Sequence, residues 1–199
     1  KHPDAKPIKD WSLEFPFLTD KPAMVSLEGY LFPDTYRFAM NATAEDIVRR
    51  LLREFDRKFT MELRAEAADQ KRSIFEVVVL ASLLEREVQS DSDKAKVADL
   101  FLRRLDAKWA LQADSTVNYA TGGTSPSISL EETRFDSPYN TYLYRGLPIG
   151  PISNPGLASL RAALHPEKNE YWFFLTTPTG EVRYGRNLDE HNANRRFLK

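Results

Sequence analysis

Cysteine is absent from the 199 residues, which removes disulfides, thiolate nucleophiles and cysteine-ligated metals and leaves the redox compartment open. A basic excess is absent as well: 28 lysines and arginines face 29 acidic residues, for a net charge of -1. Nothing in that balance suits a phosphate backbone, so nucleic acid is not an expected partner. No apolar run approaches the ~20 residues that cross a bilayer, the longest being Val77 to Leu84. The first residues lack the basic-then-apolar layout of a signal peptide, and the abrupt start at Lys1-His2-Pro3 reads as a piece of a longer protein. Histidine is scarce: His2, His165 and His191 are the three, and none has a partner of its own kind nearby. Neither a metal site nor a cofactor is therefore expected. Internal repeats and low-complexity tracts are missing too.

What is present is apolar material for a substantial core, 42% hydrophobic and 12% aromatic, enough for one domain or one domain with a small appendage. Residues 1–25 are rich in proline and charge and read as an extended lead-in, with an apolar cluster from Trp11 to Leu18. In Ser26 to Phe38 the aromatics Tyr30, Phe32, Tyr36 and Phe38 share one parity around Pro33-Asp34, which predicts two short strands or one kinked strand. Thr43 with Asp46 marks a helix start, and Ile47, Val48, Leu51, Leu52 and Phe55 form the stripe of a helix from about Ala44 to Lys58. Ser73 with Glu76 is a fuller capping box and launches a second helix. The polar break Ser90 to Asp93 starts a third, with Val97, Leu100, Phe101 and Leu105 as its stripe. Asp114 to Asn140 reads mostly as loop with short helical or extended pieces. Asn154-Pro155 reads as cap and first residue of a helix that His165-Pro166 ends, and Tyr171–Thr177 with Glu181–Arg186 as a hairpin. Helices in the middle with antiparallel strands at both ends predict an α+β fold around a helical core.

The chemistry is sought in FEVVVLASLLERE, Phe75 to Glu87, where an apolar helix acquires glutamates as it ends. A carboxylate held against apolar side chains is poorly solvated, which raises its pKa and suits it to general acid work. Residues three, four, seven and eight apart share a helix face. By that spacing Glu85 neighbours Val77, Val78, Ala81 and Val88, whereas Glu87 is followed by Ser90 and Asp91 and is the one expected to reach water. The plain alternative is that both belong to a solvated helix end.

Five segments taken together resemble a known family. SLEGYLFPDTYRF (26–38), ASLLERE (81–87), LQADSTVNYA (111–120), SPYNTYLYRGLPIGPISNPGLASLRAAL (137–164) and EHN (190–192) are similar, in order and wording, to the endolytic murein transglycosylases, the YceG-like proteins. The resemblance implies a catalytic domain over 26–199, with 1–25 the remnant of, or linker from, a LysM-like module. It implies cleavage of peptidoglycan glycan strands between N-acetylmuramic acid and N-acetylglucosamine, leaving 1,6-anhydromuramic acid ends. It places the catalytic acid on Glu85, the first glutamate of the family's ASxxExE motif. It also implies a parent anchored in the bacterial cytoplasmic membrane by an N-terminal helix absent here, with the catalytic part on the outer, periplasmic side and cell-wall synthesis proteins as possible partners.

On that reading the other motifs become sugar-binding candidates. Asn140 and Thr141 offer hydrogen bonds beside Tyr139 and Tyr142, whose rings can lie on pyranose faces; a turn with two core tyrosines is the alternative. Gln112, Asp114, Ser115 and Thr116 form a polar cluster, with capping by Asp114 as the alternative. Glu28 offers a second carboxylate and Tyr30 a groove wall, unless Glu28 only satisfies backbone amides near Gly29. His191 and Asn192 are expected to cap or buttress the last helix. Ser115 stands where the family's QSDPTV pattern has proline, Ile149 replaces a proline of LPPGPI, and the hairpin reads GEVRYG where histidine and phenylalanine are common. Two other readings remain: a two-carboxylate peptidoglycan hydrolase, with Glu28 or Asp114 assisting Glu85, and a non-catalytic glycan-binding module.

Overall fold

Two capping boxes start the helices that organise the chain. In the computed structural model, which describes residues 9–125 and 127–198, Thr43 and Asp46 satisfy each other's backbone amides at the head of α1 (Ala44–Lys58), and Ser73 and Glu76 do the same for α3 (Ile74–Glu87). Between them lies a shorter helix, α2 (Met61–Asp69), which buries only Leu63 and Ala67. Two inward residues and no capping side chain leave too faint a sequence signal to have announced it. Ser90 accepts from the Asp93 amide at 3.1 Å and opens α4 (Asp91–Asp106). α5 (Asp114–Thr121), α6 (Leu157–Leu164) and α7 (Leu188–Asn194) follow, with the antiparallel pair β1 (Phe173–Thr176) and β2 (Val182–Gly185) between the last two. The fold is α+β, mostly helical, with one two-stranded sheet among the described residues.

α3 is the axis of the molecule. Every residue from Val77 to Leu84 is buried, as expected of a helix that is apolar all round and packed on every side. α6 and α4 lie along it, and α2 and α5 touch its flanks. At ~1.5–3 kcal/mol for each large apolar side chain taken fully out of water, this helix and its neighbours carry much of the driving force.

Residues 9–25 are not extended: they form 3-10 turns at Trp11–Leu13 and Pro16–Leu18, and Trp11, Phe15, Phe17 and Leu18 enter the core. Ser26 to Phe38 contains no strand. Its backbone has no partner chain to pair with, because the Gly29 and Leu31 amides donate instead to Asn154 Oδ1, at 2.8 and 3.2 Å. Gly29 also sits at φ +92, and a Cβ there would lie 2.6 Å from Pro151 and 2.7 Å from Val78, so the chain turns where a strand would continue.

Asn154 accordingly does not cap α6. The N-cap is Gly156, one residue beyond Pro155, and it has no capping side chain of its own. The hairpin forms close to the expected bounds, with Phe173 opposite Gly185 and Thr176 opposite Val182. His191 lies within α7 rather than at its end, its ring 5.3 Å from that of Phe173. No described helix is long and apolar enough to cross a membrane.

Candidate active site

The two glutamates at the end of α3 are two residues apart, which on an α-helix rotates them ~200° from each other. They therefore meet different neighbours. Glu85 faces α6, where its Oε2 accepts from Ser159 Oγ at 2.5 Å and from the Gly156 amide at 3.2 Å, with Lys94 Nζ at 3.4 Å. Burial raises the Glu85 carboxyl, but these donors together outweigh it and hold the pKa below the ordinary carboxylate value. Its position beside the first amides of α6 adds the favourable end of a helix dipole. Glu85 thus caps, from a distance in sequence, a helix that lacks a cap of its own.

Glu87 faces α5. Its carboxylate accepts from Ser115 Oγ at 2.6 Å. Burial pushes its pKa up, the bond from Ser115 works against that, and the Asp114 charge reinforces it, leaving the group above the ordinary value. Both carboxyls are half-buried, and burial is the largest influence on each; what differs is that more donors reach Glu85 than Glu87. The spacing argument weighed only residues of the same helix, whereas α5 and α6, distant in sequence, supply the deciding partners.

Several motif residues gather around Glu87. Tyr142 donates its phenolic hydrogen to Asp114, so the QADST and YNTY segments meet beside this carboxyl. Arg104, buried in the same neighbourhood, donates to the Leu111 carbonyl at 2.5 Å and to that of Trp172 at 2.5 Å. Burial lowers its pKa to about 10, against the opposing pull of Tyr142 and Glu87, so it remains a cation at neutral pH. Gln112 is exposed on a left-handed backbone, φ 52, and is free to meet a ligand. Ser115 lines a cleft of about 250 Å³ together with Tyr119 from the next turn of α5 and Arg86 from α3.

Other candidates turn inward. Tyr30 is wholly buried, its ring 5.2 Å from Phe55 and 5.9 Å from Phe17, and it walls no groove. Asn140 is buried; its amide donates to the Thr133 and Phe135 carbonyls, and its oxygen accepts from the Tyr142 amide. Thr116 and Thr141 are buried and share a hydrogen bond at 2.9 Å, while Thr141 Oγ1 also accepts from the Ala113 amide. Thr116 and Thr141 lock the Gln112–Thr116 segment to the Tyr139–Tyr142 segment, Asn140 ties the latter to Thr133 and Phe135, and the polar atoms of all three are already used. Glu28 is half-buried and accepts from Tyr119 at 2.5 Å, and the Tyr119 ring lies 4.7 Å from that of Tyr139. Tyr119, unremarked in the sequence, is the link between Glu28 and the cleft; its place four residues after Ser115, on the same helix face, was the available signal. No group of three or more potential metal ligands exists among the described residues.

Residues 5–197 match the model of the YceG-like family. The chain is 41% identical over 167 residues to a protein of Bacillus subtilis (strain 168) named endolytic murein transglycosylase, a match covering 83% of this chain and 46% of that protein. It is 32% identical over 181 residues to a protein of the same name from Streptococcus pneumoniae (strain ATCC BAA-255 / R6), covering 88% and 33%. The chain thus spans less than half the length of these curated relatives. A 2.6 Å crystal structure of a yceG-like protein from Listeria monocytogenes superposes with a TM-score of 0.83 at 37% identity, covering 92% of this chain and 61% of that one.

Proposed function

Given a chain that belongs to the YceG-like family, we propose that it carries the site of a peptidoglycan lytic transglycosylase and that Glu87, rather than Glu85, is its general acid. The observation that carries the assignment is the contrast in carboxyl environments. Glu87 is raised by burial beside Asp114, whereas Glu85 is committed to three donors. A general acid must be protonated near the working pH, and only the first environment favours that. The names of the relatives supply the substrate class.

Protonated Glu87 donates its hydrogen to the glycosidic oxygen as the bond to the anomeric carbon breaks and an oxocarbenium-like centre develops. The carboxylate so formed then removes the proton of the muramic acid 6-hydroxyl while that oxygen attacks the anomeric carbon. One bond is exchanged for another, the proton count closes, and a 1,6-anhydro end results. No water enters and no second carboxylate is required, unlike ordinary glycoside hydrolysis. Asp114, held by Tyr142, keeps a negative charge close to Glu87, and Arg104 anchors the strands of backbone behind it. Because the substrate lies outside the cytoplasmic membrane, the site works on that side.

Asp114 is also what a hydrolase would use as its second carboxylate, so the products decide. Purified glycan strands are digested and the new ends analysed by mass spectrometry. Anhydromuramic ends are expected; free reducing ends would replace the transglycosylase by a hydrolase.

A further inference from the structure

The chain has three tryptophans, and two of them reach water. Trp11 is 8% exposed, whereas Trp109 is 38% exposed and Trp172 is half-buried. Far apart in sequence, Trp109 and Trp172 pack together, with ring centroids 5.4 Å apart and planes 36° from parallel. The Phe173 ring meets Trp109 edge-on at 5.7 Å. Arginines back both rings: the guanidinium carbon of Arg104 is 5.3 Å from the centre of Trp109, and that of Arg103 is 5.1 Å from the centre of Trp172. Neither arginine is loose. Arg103 is held by Asp99 at 3.1 Å and Asn169 at 3.0 Å, and Arg104 by the Leu111 and Trp172 carbonyls. The outcome is a braced aromatic surface whose exposed part adds nothing to the burial that drives folding.

Two short connections tie this surface to the end of α3. Lys108, at φ 53, follows the end of α4, and the Trp109 amide donates to the Arg104 carbonyl at 2.8 Å; the chain then leads into α5 and Ser115, the donor to Glu87. Trp172 stands four positions before Thr176, whose hydroxyl donates to the Glu87 carbonyl at 3.2 Å. At ~3.3 Å per strand residue, that separation is ~13 Å, a span of several pyranose rings.

We propose that Trp109 and Trp172 form an outer platform on which the sugar rings of a long glycan strand stack, and that this platform makes the chain prefer long strands to short ones. The inference rests on the reading that the chain acts on peptidoglycan glycan. It holds whichever glutamate is the acid, because both end the same helix. The flat apolar face of an indole matches the C–H face of a pyranose, and its N–H can donate to a hydroxyl. Protein interfaces also favour tryptophan and arginine, but the two connections to the end of α3 favour a ligand that continues toward the site. Both tryptophans lie outside the five segments that resemble the family, so the platform is built from side chains that those motifs leave unused.

The test is equilibrium binding by calorimetry to the chain carrying both Glu85→Gln and Glu87→Gln, which lacks either candidate acid and leaves its ligand uncut. The probes are peptide-free glycan strands, long ones compared with tetrasaccharides cut from the same material. Long strands are expected to bind at least tenfold tighter. Adding Trp109→Ala should bring them to within about twofold of the tetrasaccharides and leave the tetrasaccharide affinity unchanged, whereas Trp109→Tyr, which keeps a flat ring, should restore most of the difference. Should Trp109→Ala not fold, tryptophan emission from the chain with both tryptophans in place decides: long strands should shift it and tetrasaccharides should not. A preference for long strands that survives Trp109→Ala, or equal binding of long and short strands, overturns the platform and leaves the glycan reading standing. Full strand binding by Trp109→Ala together with loss of a protein partner assigns the tryptophans to a protein interface and overturns the platform as well. Absence of binding by every strand overturns the glycan reading itself.

Discussion

Glu85 and Glu87 share one helix end, yet one meets a cluster of donors and the other a single donor and an acidic neighbour. On the α6 side, a hydroxyl, a backbone amide and an ammonium converge on a single carboxylate oxygen of Glu85. On the α5 side, Glu87 has one hydroxyl donor and an acidic neighbour. The difference teaches that burial raises both carboxyls and that the donors and charges reaching each decide the direction that remains.

The comparison can be broken most directly by exchanging the two carboxyls for amides. Glu87→Gln is expected to lower the turnover of glycan strands by roughly 10²- to 10⁴-fold, the usual weight of a general acid. Its melting temperature at neutral pH should not fall. A carboxyl whose folded pKa is raised contributes stability below its unfolded pKa and loses it as pH rises through the folded one, so at neutral pH its charge is a liability. Retained activity in Glu87→Gln, with loss in Glu85→Gln, would invert the assignment.

Glu85→Gln should act on stability instead, costing about 1–2 kcal/mol in denaturant unfolding at neutral pH, at the lower end of bonds to a charged group because Glu85 is partly exposed. The sign is opposite to that of Glu87. A depressed folded pKa contributes stability above the unfolded value and loses it as pH falls through the folded one, so the deficit of the variant should shrink on acidification below the ordinary carboxylate range. Ser159→Ala sharpens the same point with a smaller loss, about 1 kcal/mol for one hydrogen bond, and a Glu85 titration, followed by carboxyl NMR, that moves upward.

The smallest expected effect belongs to Ser115→Ala. The Ser115 hydroxyl favours ionised Glu87, so removing it should displace the alkaline limb of the pH–rate profile upward while leaving the melting temperature nearly unchanged. A downward displacement would mean that Ser115 does not act on this acid.

Much of the architecture was legible where partners are local. The Thr43/Asp46 and Ser73/Glu76 boxes, the stripes of α1 and α4, and the hairpin are all settled by residues within a few positions of each other. Elements with remote partners were misread. The aromatic alternation of Tyr30 and Phe32 is real, since both are buried, but it serves packing on Phe17 and Phe55 rather than a sheet. Asn154 looked like a cap and instead receives the Gly29 and Leu31 amides. Among the site candidates, Asn140, Thr141 and Thr116 have the polar atoms of ligand contacts and spend them on nearby backbone and on each other's hydroxyls.

The sequence by itself determined the family and the helical core and drew attention to the short stretch that carries Glu85 and Glu87, because motif order and helical spacing are properties of the chain alone. Only the tertiary structure gave the two glutamates of that stretch different surroundings. A carboxyl's proton affinity depends on which donors and charges surround it in space, and those were brought to Glu85 and Glu87 by helices some 30 to 70 positions away.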